Sequence, residues 1–278
     1  MKYLPFRNII IKLLSLYIIY IMLSDAFDYS SVKQPSSGIT ATRRVDRMKS
    51  QSTFKPSQKL VWDTPRVPQG FLDLKNFYIK FSIVSAGLAR FDGDAKCLFK
   101  SIRVETSKGV QIDLLENANV WYGLSNHILD EGSLNGYDRI SGSMGDDNIP
   151  FLGADLQAVK TFIVSFNHGI FATEKMIPLF GEALKFTFQL DKVESCLLST
   201  SVANADYTIT DVQFVYPLLV LDNDTFNSLN NRTSYQIDYN PHFNHQVSVS
   251  ASSTNENHVV PARYSSLNSV TLLQRRAD

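Results

Sequence analysis

Two phenylalanine-rich stretches, roughly a hundred residues apart, constrain this chain most: FLDLKNFYIKFSIVS (Phe71–Ser85) and MIPLFGEALKFTFQL (Met176–Leu190). In the first, Phe77, Ile79, Phe81 and Ile83 alternate with Tyr78, Lys80 and Ser82. In the second, Leu184, Phe186, Phe188 and Leu190 alternate with Lys185, Thr187 and Gln189. A period of two places alternate side chains on opposite faces of a β-strand, one face buried and one wetter. The 12% aromatic content agrees with sheets, and the 44% hydrophobic content is enough for a packed core.

Further strand patterns surround these two. A turn at FDGDAK (Phe91–Lys96) precedes CLFKSIRVE (Cys97–Glu105) and VQIDLL (Val110–Leu115), which read as a hairpin. Asn117–Asp130 reads as a helix, with Val120, Leu124 and Ile128 at fourfold spacing and Asn117 or Asn119 as its cap. Glu131–Phe151 and Thr200–Ala205 are irregular, polar excursions. Strands are expected at Thr161–Phe166 and at Tyr207–Leu221, the latter bent near Pro217. Asp222–Asn230 reads as a short helix capped by Asp222 or Asn223. A β pattern restarts at Ser234–Tyr239, His245–Ser252 and Ser266–Arg276.

About seven strands are expected between Phe71 and Leu221, with no βαβ alternation. That predicts an all-β fold: an antiparallel jelly-roll sandwich with one or two short inserted helices. The tail is too short to close a sandwich of its own and reads as the start of an incomplete second jelly roll. The domain reading is an apolar leader (1–26), a basic flexible arm (27–66), the first jelly roll (67–222), a linker helix (223–232) and the opening of a second roll (233–278).

Formal charge is balanced at 27 basic and 27 acidic residues, so the chain as a whole is no polyanion binder. The balance is local, however. Lys33, Arg43, Arg44, Arg47, Lys49, Lys55, Lys59 and Arg66 face only Asp46 and Asp63 within the arm. Such an arm is a solvated leader, or it meets nucleic acid, an anionic membrane or a neighbouring subunit. Before it, Ile9–Leu23 is an apolar run preceded by Lys2 and Arg7 and followed by Ser24-Asp25-Ala26. It matches a secretory signal peptide, is short for a membrane span, or lies upstream of a true start at Met22. The sequons at Asn223 and Asn231 would suit secretion.

Motifs of chemistry are sparse. No GxSxG, P-loop or GxGxxG occurs. Cys97 and Cys196 read as buried free thiols. His242-x-x-His245 is a loop pair rather than a ligand set. Asp92-Gly-Asp94 and Asp146-Asp147-Asn148 carry oxygens suited to calcium, but turn chemistry explains them equally. Trp62 and Trp121 could be sugar platforms, yet each sits in a context suited to packing. No catalytic, cofactor or metal residue is assigned.

The order of segments resembles the major capsid protein of double-jelly-roll DNA viruses, in particular the polinton-like and adintovirus group. The matching pieces are FLDLKNFYIKF, CLFKSIRVETSKGVQIDLLENANVWYGL, FNHGIF with KMIPLFGEALKFTFQLDK, and YTITDVQFVYPLLVLD; VPARYSSLNSVTLLQRR resembles the opening of that family's second roll. The resemblance implies a non-enzymatic, hexon-like virion protein, forming pseudo-hexagonal homotrimers in an icosahedral lattice beside a minor penton protein. It implies a second roll left unfinished at Asp278 and synthesis in the cytosol, which favours Met22 as the start. The basic arm is then a candidate for contact with DNA or membrane. The alternative reading is a secreted, lectin-like β-sandwich binding module; a hydrolase on a sandwich scaffold is a third.

Overall fold

The alternating stretches form the inner faces of two stacked antiparallel sheets. The structure, a computed structural model, describes residues 39–48, 51–86, 89–128, 160–199, 206–230, 236–242 and 247. The apolar leader, the excursions at 131–151 and 200–205, and the tail strands expected at 245–252 and 266–276 lie outside those residues, apart from Val247. The described residues fall into two units. One holds 41–220 with 236–242 and 247; the other holds 39–40 with 221–230.

The strands are β1 (Ile39–Arg47), β2 (Thr53–Phe54), β3 (Lys59–Asp63), β4 (Gly70–Leu72), β5 (Tyr78–Ala86), β6 (Ala89–Phe91), β7 (Phe99–Thr106), β8 (Gln111–Glu116), β9 (Lys160–Ser165), β10 (Ile177–Pro178), β11 (Leu184–Leu190), β12 (Leu197–Ser199) and β13 (Asp206–Leu221). Helix α1 is Ala118–Ile128, α2 is the single turn Val193–Cys196 and α3 is Asn223–Asn230. One sheet runs β3-β11-β7-β8. The other runs β10-β4-β13-β5-β9, with β1 and β2 also paired to β13. The chain crosses repeatedly between the sheets, while β13, the last strand among the described residues, lies between early strands. That order is an eight-strand jelly roll: β2, β13, β5 and β9 in one sheet, β3, β11, β7 and β8 in the other. A two-stranded ribbon, β6 with β12, is additional.

The inward residues are the ones the alternation selects. Phe77, Ile79, Phe81, Ile83, Leu184, Phe186, Phe188 and Leu190 are all buried. Trp62 joins them from β3. Its ring lies 5.3 Å from Phe77, 5.1 Å from Phe186, 5.4 Å from Phe214 and 4.9 Å from Tyr216. Stacks of this kind add to the burial of large apolar area.

Several expectations need correction. The stretch Phe71–Ser85 is two strands, because a turn at 73–77 interrupts it: Phe77 N–H donates to Leu74 O, and Asp73 Oδ1 accepts from Asn76 N–H. Cys97 and Leu98 precede the strand in a 3-10 turn (Ala95–Leu98), whose start Asp94 caps by accepting from Lys96 N–H. In β13 the irregularity sits at Asp211, whose φ of +50° accompanies a register shift between Thr210 and Gln213; Pro217 stays within the strand. The residues read as a flexible arm supply β1, β2 and β3 from Ile39 onward, because β3 is needed as the partner of β11. Residues 236–239, expected to restart a strand, belong to none; they are held by side-chain contacts described below. Asp222 is the cap of α3, accepting from Thr225 N–H at 2.8 Å.

Asp46 of β1 ties the arm to the core. Its Oδ2 accepts from Trp62 Nε1 at 3.0 Å and from Tyr216 Oη at 2.9 Å. Burial, and then this hydrogen bond, push the Tyr216 phenol above its ordinary range. Replacing Asp46 with Ala leaves two donors without their acceptor. Asp46→Ala is expected to lower unfolding free energy by about 2 kcal/mol, and Asp46→Asn by less. Urea denaturation followed by tryptophan fluorescence measures both.

Candidate functional site

A buried polar cluster lies where α1, the 3-10 turns and residues 236–242 meet the sheet containing β8. Helix α1 starts after Asn117, whose φ of +49° turns the chain out of β8. Asn119 is no cap: it lies inside the helix, donating from Nδ2 to Asp191 Oδ2 at 2.8 Å. The helix buries Ala118 and Tyr122, one turn apart, while Val120 and Leu124 are only half-buried. The face turned to the core is therefore offset from the Val120-Leu124 stripe read in the sequence.

Tyr122 places its hydroxyl against Nδ1 of His168. Lys96 Nζ stands 4.9 Å above the Tyr122 ring and 3.3 Å from Asp94 Oδ2. Both partners of that ion pair are buried, an arrangement that is stable only when each charge keeps its counterpart. Asp94 is thus engaged by an ammonium and by the Lys96 N–H, which makes turn chemistry the role of Asp92-Gly-Asp94. His168 begins the second 3-10 turn (Gly169–Ala172), and Asp113 of β8 accepts there from Ile170 N–H at 2.9 Å. Burial, then the neighbouring His242 and Lys96, hold His168 down at about 3.

Residues 236–242 lie against this cluster. Tyr239 Oη donates to Ile112 O. Thr173 Oγ1 donates to Asp238 O at 3.5 Å, and Lys175 Nζ reaches Gln236 O at 3.3 Å and Asp238 Oδ2 at 3.2 Å. The His242 ring sits 4.2 Å from the half-buried Trp121 ring and 6.2 Å from that of His168. Trp121 thus packs against the tilted ring of His242, and Trp62 is core; neither is an open platform for a sugar. His245 and the Asp146–Asn148 stretch lie outside the described residues, as does Asn231.

The two thiols form a neighbouring seam. Cys97 Sγ donates to Cys196 O at 3.0 Å, and Cys196 Sγ to Lys192 O at 3.1 Å. Tyr207 Oη donates to Asp191 O at 2.6 Å alongside. Burial, then the charge of the other cysteine, raises Cys97; burial, then Asp191, raises Cys196. Neither is an activated nucleophile. Among the described residues no group of three or more His, Cys, Asp or Glu is placed to hold a metal ion. Among them, too, no helix is long and apolar enough to cross a membrane. The chemistry this cluster can perform is to fasten a helix and a strap to the sandwich. Sequence reading singled out none of Tyr122, His168, Asp113 or Lys96 for it. The available signal was His168-Gly169 directly after a buried strand.

No protein-family model matches the chain, and no curated protein does. Solved structures similar to it include viral capsid proteins. The quasi-atomic PBCV-1 virus capsid gives a TM-score of 0.48 at 15% identity, over 68% of this chain and 44% of that one. PBCV-1 VP54, fitted into a reconstruction of the virophage Sputnik, gives 0.47 at 14%, over 68% and 44%. The Faustovirus major capsid protein gives 0.44 at 9%, over 73% and 58%. The matched part is thus less than two thirds of each of those chains. The jelly-roll assignment rests on the strand order of this chain itself.

Two outcomes test the packing of this region. Gly169 has φ +49°, and a Cβ there would stand 1.8 Å from Asp113 Oδ2. Gly109 has φ +82° with nothing within 4 Å of such a Cβ. Gly169→Ala is expected to cost about 2–4 kcal/mol and Gly109→Ala about 1 kcal/mol, read by urea denaturation. Equal losses would show that the contact with Asp113 is immaterial. Separately, both thiols should resist a thiol-specific disulfide reagent at pH 8 in the native protein and react fully once it is unfolded in denaturant.

Proposed function

We propose that this chain is a structural subunit of an icosahedral viral shell, without enzymatic activity, acting by burial of surface between jelly rolls. The observation that carries this reading is the strand order, a jelly roll whose segments also follow the capsid-protein order read in the sequence. The two outward faces support it. On the β3-β11-β7-β8 sheet, Lys59, Asp63, Lys185, Arg103, Glu105 and Glu116 interleave opposite charges, the mark of a solvated or polar contact face. On the other sheet the outward rows are Val215-Tyr78-Ser165, Gln213-Lys80-Ile163 and Ser82 between Thr210 and Thr161, then Thr208-Val84. Lys80 is the one charge in those rows. Of these residues Ser82, Gln213 and Val215 are already buried within the chain, and Asp211 accepts from Gln213 Nε2; the more accessible Tyr78, Thr161, Ile163 and Val84 are uncharged, which suits the dehydrated centre of a subunit interface.

In this reading the roll stands beside a second one, and three chains make a pseudo-hexagonal capsomer within a lattice completed by a separate vertex protein. Specific interfaces of that kind bury upwards of roughly 1,000 Å². The exposed Arg43, Arg44 and Arg47 of β1 give the arm a basic surface for nucleic acid or an anionic membrane inside the shell. The location that follows is the virion.

Sedimentation velocity with negative-stain electron microscopy tests the assignment. The chain extended by a complete second jelly roll is expected to sediment at about three times its own mass at tens of micromolar, and to show pseudo-hexagonal outlines. Ile163→Glu should abolish that association while leaving the circular dichroism spectrum unchanged. A chain that stays monomeric up to about 100 µM, a range where interfaces of roughly 1,000 Å² are populated, would overturn the reading.

A further inference from the structure

Residues 236–242 form a strap with no strand pairing of their own, and their seat contains two imidazoles. The ring of His168, almost fully buried, faces that of His242 at 6.2 Å. His242 Nδ1 is buried without a hydrogen-bond partner, so the seat offers a protonated His242 no acceptor at that nitrogen. The strap's other anchors are Ile237 and Tyr239, packed against the core, the Tyr239–Ile112 hydrogen bond and the exposed Lys175–Asp238 pair.

We propose that the His168–His242 pair makes the seating of residues 236–242 pH-dependent, so that mild acid unseats the strap and uncovers Trp121, His168 and the Ile112 carbonyl. Around the pair, the turn at Ala95–Leu98 contributes Lys96 with its partner Asp94. Helix α1 contributes Tyr122 and Trp121. Strand β8 contributes Asp113, the one carboxylate that favours a charged His242. The strap contributes Asp238 and Tyr239, and the stretch after the second 3-10 turn contributes Glu174 and Lys175. Lys175 holds Asp238, while Lys75 holds Glu174. Two imidazolium ions in this seat would lie beside a Lys96 ammonium already paired with Asp94, and Asp113, itself bonded to Ile170 N–H, would be the carboxylate left to oppose them.

Burial depresses both imidazoles below their ordinary value. The unseated form therefore binds protons that the seated form refuses. Seating is fully favoured above about pH 6.5 and weakens as pH falls through that value toward the depressed one. Asp238 has the opposite character: its hydrogen bonds to Gln236 and Lys175 keep its carboxyl low, so the ion pair persists at pH 5. If release restores His168 to its ordinary value, proton uptake at pH 5 shifts the equilibrium about 30-fold toward the unseated form. The device belongs to the single chain and holds whether or not that chain assembles.

Hydrogen–deuterium exchange at pH 7.5 and 5.0, corrected for the intrinsic pH dependence of exchange, tests this on the full-length protein. Peptide 111–116, whose Ile112 carbonyl the strap covers through Tyr239, should lose protection at least about tenfold at pH 5 and tryptophan emission should shift to the red as Trp121 is uncovered, while the β11 peptide 184–190 keeps its protection. His242→Phe preserves an aromatic ring against Trp121 and should shrink the pH effect; the His168→Gln, His242→Phe double variant should remove it. Unchanged tryptophan emission together with unchanged protection of 111–116 in the wild type would overturn the proposal without recourse to any variant. Loss of protection in 184–190 at the same pH would also overturn it, since the event would then be global acid unfolding.

Discussion

The stacking of aromatic rings across the two sheets is the interaction on which the rest of the structure depends. Trp62 from β3 and Phe77 from the turn before β5 contact the same Phe186 and Phe214 rings, and Phe77 extends the stack to Phe166, Phe171 and Phe188. The two sheets hold one another at this slab of rings. Truncating any one of them would lose both its transfer free energy and the contacts around the cavity left behind, typically about 3–5 kcal/mol. The slab also sets where the polar groups must go. Asp46 meets Trp62 at its indole N–H, and Tyr122 and His168 meet one another where the rings end.

The cluster at the α1 end follows from that geometry. A helix inserted between β8 and β9 arrives over the edge of the ring slab and buries Tyr122 there. A buried hydroxyl needs a partner, and His168 supplies it. Lys96 lies over the same ring and needs a counter-charge, which Asp94 supplies two residues earlier. Asp113 then has to satisfy the N–H of Ile170, which demands that Gly169 carry no side chain. Each of these is a consequence of removing polar atoms from water, and together they fasten a helix, two turns and a strap.

Periodicity was readable wherever a strand has one wet face. The alternation Leu184, Phe186, Phe188, Leu190 appears in the structure with its buried set as expected, as do β9 and the β7–β8 hairpin. It misled where a strand is interrupted. Phe77 keeps the alternating phase of Ile79 yet lies in a turn, because a buried ring can be presented from either. Pro217, the residue with a missing N–H, is where the sequence places a bend in β13, but the strand runs through the proline and its register shifts at Asp211 instead. Basic and rich in Ser and Thr, the arm reads as a solvated leader or as a segment that meets nucleic acid, an anionic membrane or a neighbouring subunit. Its Leu60 and Trp62 alternate as buried residues over a stretch of only five, too short for composition to outvote.

By itself the sequence determined that the chain is a β-sandwich with a hairpin, an inserted helix and buried cysteines, since period, turn residues and apolar content are local properties. The pairing of strands was decided by the tertiary structure alone. β13 lies between β2 and β5, and β11 between β3 and β7, which no local pattern specifies because hydrogen-bonded neighbours are far apart along the chain. The same holds for Asp46 with Tyr216 and for His168 with His242. Their separation in sequence hides them, and the burial that makes them matter exists only once the two sheets have closed.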